Sequence, residues 1–247
     1  MKQQAILRSM VLCALIVCVC GGGRAQTLQT ALTAAAAAFS QGKPVNTVTL
    51  NATAQWILGS DNESGNATLT ANADGSFSVQ LQLGQSSRAE SQTSFSPGQT
   101  CNWSGADGVA HPAAPHNCMG SMAWFLPQVA LFGNQQPSAV TTTLLASASQ
   151  LLDIRQQRTP PAALSTDTAG LLGHLSSVDL YLDPKTYLPA ALAFNSHPDQ
   201  NAASDIPVQV VFTNYQSVNG AMVPFHIQRY VNGVLNLDLT VTQASAN

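Results

Sequence analysis

The sequence predicts a mainly β (α+β) domain: a curved antiparallel sheet that forms an open or incomplete β-barrel, covered by an N-terminal and a central helix. Apolar residues alternate with polar ones over many short runs, which is typical of strands with one buried face. Near the C-terminus these runs are separated by Asn219-Gly220 and Asn232-Gly233, a pair of residues that favours two-residue hairpin turns. A sheet with one apolar face must cover that face, and two apolar helical segments are the candidates.

The first 25 residues have the pattern of a secretory signal peptide. Two basic residues precede an apolar core from Met10 to Val19, and Gly23-Arg24-Ala25 places small residues at −3 and −1. We predict that this segment directs export to the periplasm or the medium and is cleaved before Gln26. An uncleaved anchor is the weaker alternative, because about 20 apolar residues are needed to span a bilayer. Neither Cys18 nor Cys20 follows the Gly or Ala of a lipobox, so a soluble exported form is favoured over a lipoprotein.

The composition of the remaining chain excludes a nucleic-acid-binding role. Cleavage removes three of the nine basic residues and leaves six against twelve acidic residues, a formal charge of −6. Nucleic-acid binders need a basic surface. The mature range 26–247 is long enough for one sizeable core, and we predict a single domain over it.

Two cysteines remain in this range, and they indicate a disulfide. Cys101 and Cys118 form an even pair in a compartment where disulfides persist. The alternative is a metal site, since His111 and His116 lie in the same loop. Their spacing does not match a strong zinc pattern, so we expect no metal and no cofactor.

The first half of the mature chain predicts one helix followed by long strands. Residues Gln26–Ser40 repeat apolar side chains at helical spacing, and Gly42 and Pro44 end the helix. From Thr47 to Leu58 every even position is apolar, which predicts a strand with one buried face. Two more such runs follow, around Ala67–Ala73 and Phe77–Leu83, and a more polar strand is expected over Arg88–Phe95.

The central segment Met119–Phe132 is apolar on nearly every side. Fourteen residues are too few to cross a bilayer, so the segment is expected to be buried. It is either a core helix, kinked at Pro127, or a movable lid whose inner face contacts an apolar ligand.

The second half returns to strands after an ambiguous stretch. Ala139–Arg158 combines strand and helix signals, and the polar residues Ser165–Thr168 are expected to form a surface loop. Strands follow from Ser177 onward, with a type I turn at Asp183-Pro184.

Two segments of this half resemble a known family. Ser177–Pro189 contains an Asp-x-x-Thr turn between strands, and Val211–Ile227 contains Tyr-x-x-x-x-Gly-x-x-x-Pro. Both are similar to the periplasmic lipoprotein-carrier (LolA-like) superfamily, which includes proteins that sort outer-membrane lipoproteins. The resemblance is specific over about Val178–Ile227 and topological elsewhere. It implies a half-barrel closed by helices around a cavity for acyl chains, with Arg88 as the candidate for the family's cavity-gating arginine; a surface arginine is the alternative.

The resemblance and the predicted shape together imply a non-enzymatic carrier that binds a lipid or lipoprotein acyl group. Lipoproteins or other envelope proteins are the further partners implied. The candidate cavity residues share an inward position, and each could equally belong to a solid core: Leu50, Trp56, Phe77, Leu81, Trp124, Phe125, Phe212 and Ile227. The alternative function is a structural or adhesive envelope module with a filled core and no ligand.

No sequence pattern supports an enzyme. The chain has no Gly-x-Ser-x-Gly elbow and no phosphate-binding glycine loop, and its acidic residues lie on separate predicted elements. A hydrolase is therefore the third and least favoured hypothesis.

Overall fold

The computed structural model of the protein describes residues 27–84, 86–93, 99–119, 123–132, 140–146 and 150–247. The predicted signal peptide and its cleavage site lie outside the described residues, as does the end of the strand expected over Arg88–Phe95. That strand runs over Ser86–Gln92 in the structure.

The described residues form one antiparallel sheet of thirteen strands, open at both edges. The chain starts in the middle of the sheet, where β1 pairs with the last strand, β13. One meander, β1 to β6, runs from there to one edge, and another, β13 back to β7, runs to the other edge. In chain order the strands are β1 (Thr47–Leu58), β2 (Asp61–Asn72), β3 (Phe77–Leu83), β4 (Ser86–Gln92), β5 (Cys101–Ser104), β6 (Ala110–Pro112), β7 (Val140–Leu145), β8 (Leu152–Arg158), β9 (Val178–Leu182), β10 (Pro189–Ser196), β11 (Ile206–Val218), β12 (Ala221–Val231) and β13 (Val234–Ala246).

Four helices accompany the sheet: α1 (Leu28–Ser40), α2 (Pro115–Met119), α3 (Pro127–Phe132) and α4 (Thr166–Leu175). Helix α1 begins at the N-cap Thr27, whose hydroxyl accepts a hydrogen bond from the backbone N–H of Thr30. It ends where Gln41 and Gly42 both take positive φ. None of the helices in the described ranges is long and apolar enough to cross a membrane.

The two Asn-Gly turns connect strands as the sequence predicted. Asn219 and Gly220 have φ of 51° and 94°, and Asn232 and Gly233 have φ of 51° and 75°. Positive φ at both central positions is the requirement of a type I′ turn, whose twist matches the flanking strands. These turns set the register of β11, β12 and β13, which form the centre of the sheet with β1.

The core lies on the concave face of the sheet, under α1 and α3. Strand β1 points its even-numbered apolar residues inward from Val48, which is fully buried, to Trp56; the expectation was wrong for Leu58, which is 57% exposed where the strand ends at the hairpin. Helix α1 packs against α3 and β12 and inserts Phe39, which is 2% exposed. The covering of one apolar sheet face by helices is therefore confirmed.

Two expectations about helices were wrong. The segment Met119–Phe132 is not one kinked helix, because Ala123–Leu126 forms a buried turn and helix α3 begins at Pro127. The first residue of a helix has no intrahelical partner for its N–H group, so proline is well tolerated there. The polar run Ser165–Thr168 is not a surface loop, because Ser165 is the N-cap of α4 and its hydroxyl accepts a hydrogen bond from the N–H of Thr168. The ambiguous stretch Ala139–Arg158 supplies strands β7 and β8.

Candidate functional site: an interior cavity with paired charges

A cavity of about 510 Å³ opens on the concave side of the sheet. Its walls are largely apolar, with Phe77, Phe194 and Val208 from three strands and Trp124 from the central segment. Ligand-binding cavities usually measure about 300–1,000 Å³, have apolar walls and carry a few polar groups. This cavity has the size and the wall composition for a small apolar ligand.

A second cavity of about 230 Å³ lies beside the first. Trp56, Leu81 and Arg88 line only this smaller cavity, whereas Glu90, Trp103, Trp124 and Arg229 line both cavities. The two cavities therefore share a wall of charged and aromatic side chains.

An ion pair crosses the interior at this shared wall. Arg229 Nη1 lies 2.8 Å from Glu90 Oε1, and the indole Nε1 of Trp124 donates to Glu90 Oε2 over 2.8 Å. Glu90 is on β4 and Arg229 is on β12, and four strands separate them in the sheet order. Only a strongly curved sheet brings these strands within reach of each other, so the pair ties together two distant parts of the sheet and the central segment.

The interior arginines also stack on tryptophans. The guanidinium carbon of Arg88 lies 4.5 Å from the ring centroid of Trp56, and that of Arg229 lies 4.7 Å from Trp124 and 5.4 Å from Trp56. Arg88 is also paired with Glu63 over 3.3 Å. Cation–π contacts strengthen when the cation is shielded from water, so the tryptophans help to hold both charges inside the sheet.

The charges of this wall are stabilised by one another. Burial by itself raises the pKa of Glu90, but the positive charge of Arg229 and the hydrogen bonds from Arg229 and Trp124 outweigh it and hold that pKa below its usual value. The pKa of Glu63 is also lowered, first by a hydrogen bond from the Ser86 hydroxyl. Both carboxylates are therefore ionised at neutral pH.

Three buried N–H donors at the smaller cavity lack a hydrogen-bond partner among the described residues: Trp56 Nε1, Arg88 Nε and Arg229 Nε. All three residues line that cavity. A buried donor without an acceptor costs about 1–3 kcal/mol, so such groups are uncommon unless a bound molecule supplies the acceptor. The smaller cavity is thus suited to a group rich in oxygen acceptors.

Comparison with solved structures gives matches over most of the chain. A LolA superfamily protein from Nitrosomonas europaea matches with a TM-score of 0.54 and 11% identity, over 90% of this chain and 94% of that one. A domain described as an outer membrane lipoprotein-sorting protein domain, from Vibrio parahaemolyticus, matches with a TM-score of 0.51 and 9% identity, over 82% and 86%. The fold is LolA-like.

A DUF1329 family protein from Desulfovibrio piger also shares this fold, with a TM-score of 0.54 and 6% identity over 90% of this chain and 94% of that one. No protein-family model matches the sequence, and no curated protein matches it significantly. The likeness is therefore one of three-dimensional structure, and it confirms the fold that the two sequence motifs implied.

The predicted cavity residues divide into two groups within the LolA-like fold. Trp56, Phe77, Leu81 and Trp124 line one or both cavities. Of the described residues, Leu50, Phe125, Phe212 and Ile227 line neither cavity and are 4% exposed or less, in the packed core. Phe125 supports the wall from behind, with its ring 6.1 Å from Phe77 and 5.5 Å from Trp124.

The sequence indicated Arg88 as a candidate site residue, but it did not indicate Glu90 or Arg229. Arg88 is an inward-facing residue, because it pairs with Leu81 of β3 and its side chain is 20% exposed. A signal for Arg229 was present: it follows Val223 and Ile227 on the inward face of β12, where a charged residue is unexpected. Strand β4 gave no such signal, because its inward positions are polar.

The disulfide predicted from the sequence is present between Cys101 and Cys118, with the Cα atoms 5.7 Å apart. It joins β5 to α2 beside the larger cavity, which Cys101 and Asn117 line. The bond therefore stabilises one rim of the cavity.

A histidine cluster lies at another part of the same rim. His197 lines the larger cavity, and its Nε2 lies 3.1 Å from Asp205 Oδ1. His174 Nε2 lies 2.9 Å from the same oxygen. Burial lowers the pKa of His197, which is neutral at pH 7, and the hydrogen bond from His174 leads the interactions that lower the pKa of Asp205.

Proposed function

We propose that the protein is an exported, non-enzymatic binding protein of the cell envelope that carries the acyl chain of a lipid or lipoprotein in its interior cavity. The acyl chain occupies the larger cavity and the oxygen atoms at its head lie in the smaller cavity, so the ligand passes between the side chains that line both cavities. The observation that carries this proposal is the set of three unpartnered N–H donors at one end of an apolar cavity.

The apolar part of the ligand supplies most of the affinity. Each methylene removed from water contributes about 0.8 kcal/mol, so a chain that is only partly sheltered still binds usefully. Phe77, Phe194 and Val208 provide apolar walls for such a chain.

The polar end explains why charged residues lie inside the sheet. A carboxylate, ester or phosphate oxygen in the smaller cavity lies beside Trp56, Arg88 and Arg229, and a small turn of these side chains toward the cavity lets it accept from their unpartnered N–H groups. Hydrogen bonds from an arginine to a charged oxygen are among the stronger ones. This arrangement favours an amphiphile over a pure hydrocarbon.

The shared fold supports the same role. Two of the similar structures named above are described as a LolA superfamily protein and as an outer membrane lipoprotein-sorting protein domain. Fold alone transfers function weakly, so the cavity and its donors are the main support here.

A fluorescent fatty acid titrated into the purified protein tests the proposal. We expect saturable binding that weakens in Trp56→Phe, which keeps an aromatic ring but lacks the indole donor, and in Arg88→Met. Arg155→Met is the matched control, because Arg155 is paired with Asp179 on strands β8 and β9 and lines neither of these two cavities, only a third and more polar pocket of about 430 Å³.

Loss of binding in the two cavity variants with retained binding in the control supports the proposal. Absence of saturable binding by the wild-type protein would refute it and favour the structural envelope module. Equal affinity in all three variants would refute the assignment of the polar end.

A further inference from the structure

Two histidines from distant parts of the chain meet on one carboxylate. His174 is in the last turn of α4, His197 follows β10, and Asp205 immediately precedes β11. One ligand atom from each of the three residues can be chosen so that all lie within 4.8 Å of one another.

The spacing of these atoms suits a tetrahedral metal ion. Zinc bonds of about 2.0–2.1 Å place two ligand atoms about 3.4 Å apart. The two histidine nitrogens lie 2.9 Å and 3.1 Å from Asp205 Oδ1, so each of these two distances has to open by a few tenths of an ångström, and all three ligand atoms already lie within 4.8 Å of one another. Two imidazoles and one carboxylate suit zinc and similar transition metals, whereas magnesium and calcium prefer oxygen ligands throughout.

A second observation distinguishes this cluster from a surface ion pair. The His197 side chain is 0% exposed, and its Nδ1 has no hydrogen-bond partner among the described residues. A fully buried ring has little freedom to turn, so Nε2 stays directed at Asp205 and close to His174.

The backbone around His197 is also held in place. The His197 N–H donates to Asn117 Oδ1 over 2.8 Å, and Asn117 Nδ2 donates to the His197 carbonyl over 2.7 Å. Asn117 is next to Cys118, which is fixed by the disulfide. Ligands that are held rigidly by surrounding contacts bind a metal with less loss of entropy.

We propose that His174, His197 and Asp205 bind one divalent transition-metal ion per chain, with zinc as the best fit and water in the fourth position. Sites with three protein ligands commonly keep one such exchangeable position. The bound ion links α4 to the loop between β10 and β11, which borders the larger cavity. The site does not depend on the identity of the cavity ligand.

This site differs from the metal site that the sequence left as an alternative to the disulfide. That candidate used the loop of His111 and His116, whose cysteines form the disulfide. His116 contributes here only as a neighbour: its Nε2 contacts the Pro198 carbonyl over 3.2 Å, and its ring lies 5.9 Å from that of His197.

Calorimetric titration with zinc chloride tests the proposal, using exported protein that carries no histidine tag and has been stripped with a chelator. We expect one zinc ion per chain and weaker binding, by about tenfold or more, in His174→Ala and Asp205→Asn. His174 is 47% exposed, so its replacement should leave the fold intact, which circular dichroism checks. Cobalt(II) in place of zinc should give the intense visible absorption of a four-coordinate ion.

His226→Ala is the matched control, because His226 forms a pair with Asp238 of similar length, 2.8 Å, outside the cluster. Unchanged zinc binding in this variant, together with the loss in the two cluster variants, supports the site. The proposal is overturned if the wild-type protein shows no saturable binding, or if His174→Ala and Asp205→Asn bind zinc as the wild type does.

Discussion

The interior ion pair predicts the response to one conservative substitution, Glu90→Gln. The change removes the negative charge and keeps only one of the two acceptor oxygens, so the amide can accept from Trp124 or from Arg229, and its NH2 group faces the other donor. Arg229 is 8% exposed, so its guanidinium stays buried without a counter-charge. The Glu90 side chain is 36% exposed, but the cavities, not the outer surface of the sheet, supply that access.

The size of the effect follows from these contacts. Breaking a fully buried ion pair by removing one partner costs about 3–5 kcal/mol. Partial access of water to Glu90 and the one hydrogen bond that the amide oxygen retains reduce this figure, and we expect a loss of about 1–3 kcal/mol in the free energy of unfolding at pH 7. Asp61→Asn, which removes the same charge from an exposed hairpin position, should change stability little.

The same variant also predicts a change in pH dependence. The pKa of Glu90 is lower in the folded state than its ordinary value of 4.5, so the stabilisation is complete above that value and is lost as the pH falls through the folded pKa. The difference in stability between wild type and Glu90→Gln should therefore shrink in acid. Urea unfolding at a series of pH values from neutral to acid measures it. A variant as stable as the wild type at pH 7, or a difference that does not change with pH, would refute the reasoning.

Two further predictions concern the fold. A Cβ added at Gly65 would lie 1.8 Å from the Gln82 carbonyl oxygen of the neighbouring strand, so Gly65→Ala should destabilise the protein severely. Gly170→Ala in α4 is the control: nothing lies within 4 Å of the added Cβ, so this change should be neutral or stabilise the protein by up to about 1 kcal/mol. Thermal melts of the two variants test this difference. Replacing both Cys101 and Cys118 by Ser should lower the free energy of unfolding by about 3 kcal/mol, because the disulfide no longer restricts the unfolded chain. Chemical denaturation measures this loss, and an unchanged free energy of unfolding would contradict the prediction.

The fold was accessible from the sequence because its signals are local. Alternation within β1 shows which residues face inward, and positive φ at Asn219 and Asn232 sets the hairpins between the last strands. Helix α4 was missed because its start depends on a single capping hydroxyl, that of Ser165, in an otherwise polar run.

The candidate site was less accessible because it is made of long-range contacts. Glu90 and Arg229 are 139 residues apart, and only the curvature of the whole sheet brings them together. His174 lies on α4, whereas His197 and Asp205 lie at the two ends of the loop between β10 and β11, and no motif spacing connects the three. Sequence periodicity identified inward-facing aromatic residues such as Trp56 and Phe77, but it cannot distinguish a cavity wall from a filled core.

Native mass spectrometry of the exported protein, purified without detergent and followed by organic extraction, tests the central claim most directly. We expect co-purifying acyl species that bear an oxygen-rich head group and that a fluorescent fatty acid displaces. A bare protein mass, with no extractable lipid and no uptake of the fatty acid, would contradict it.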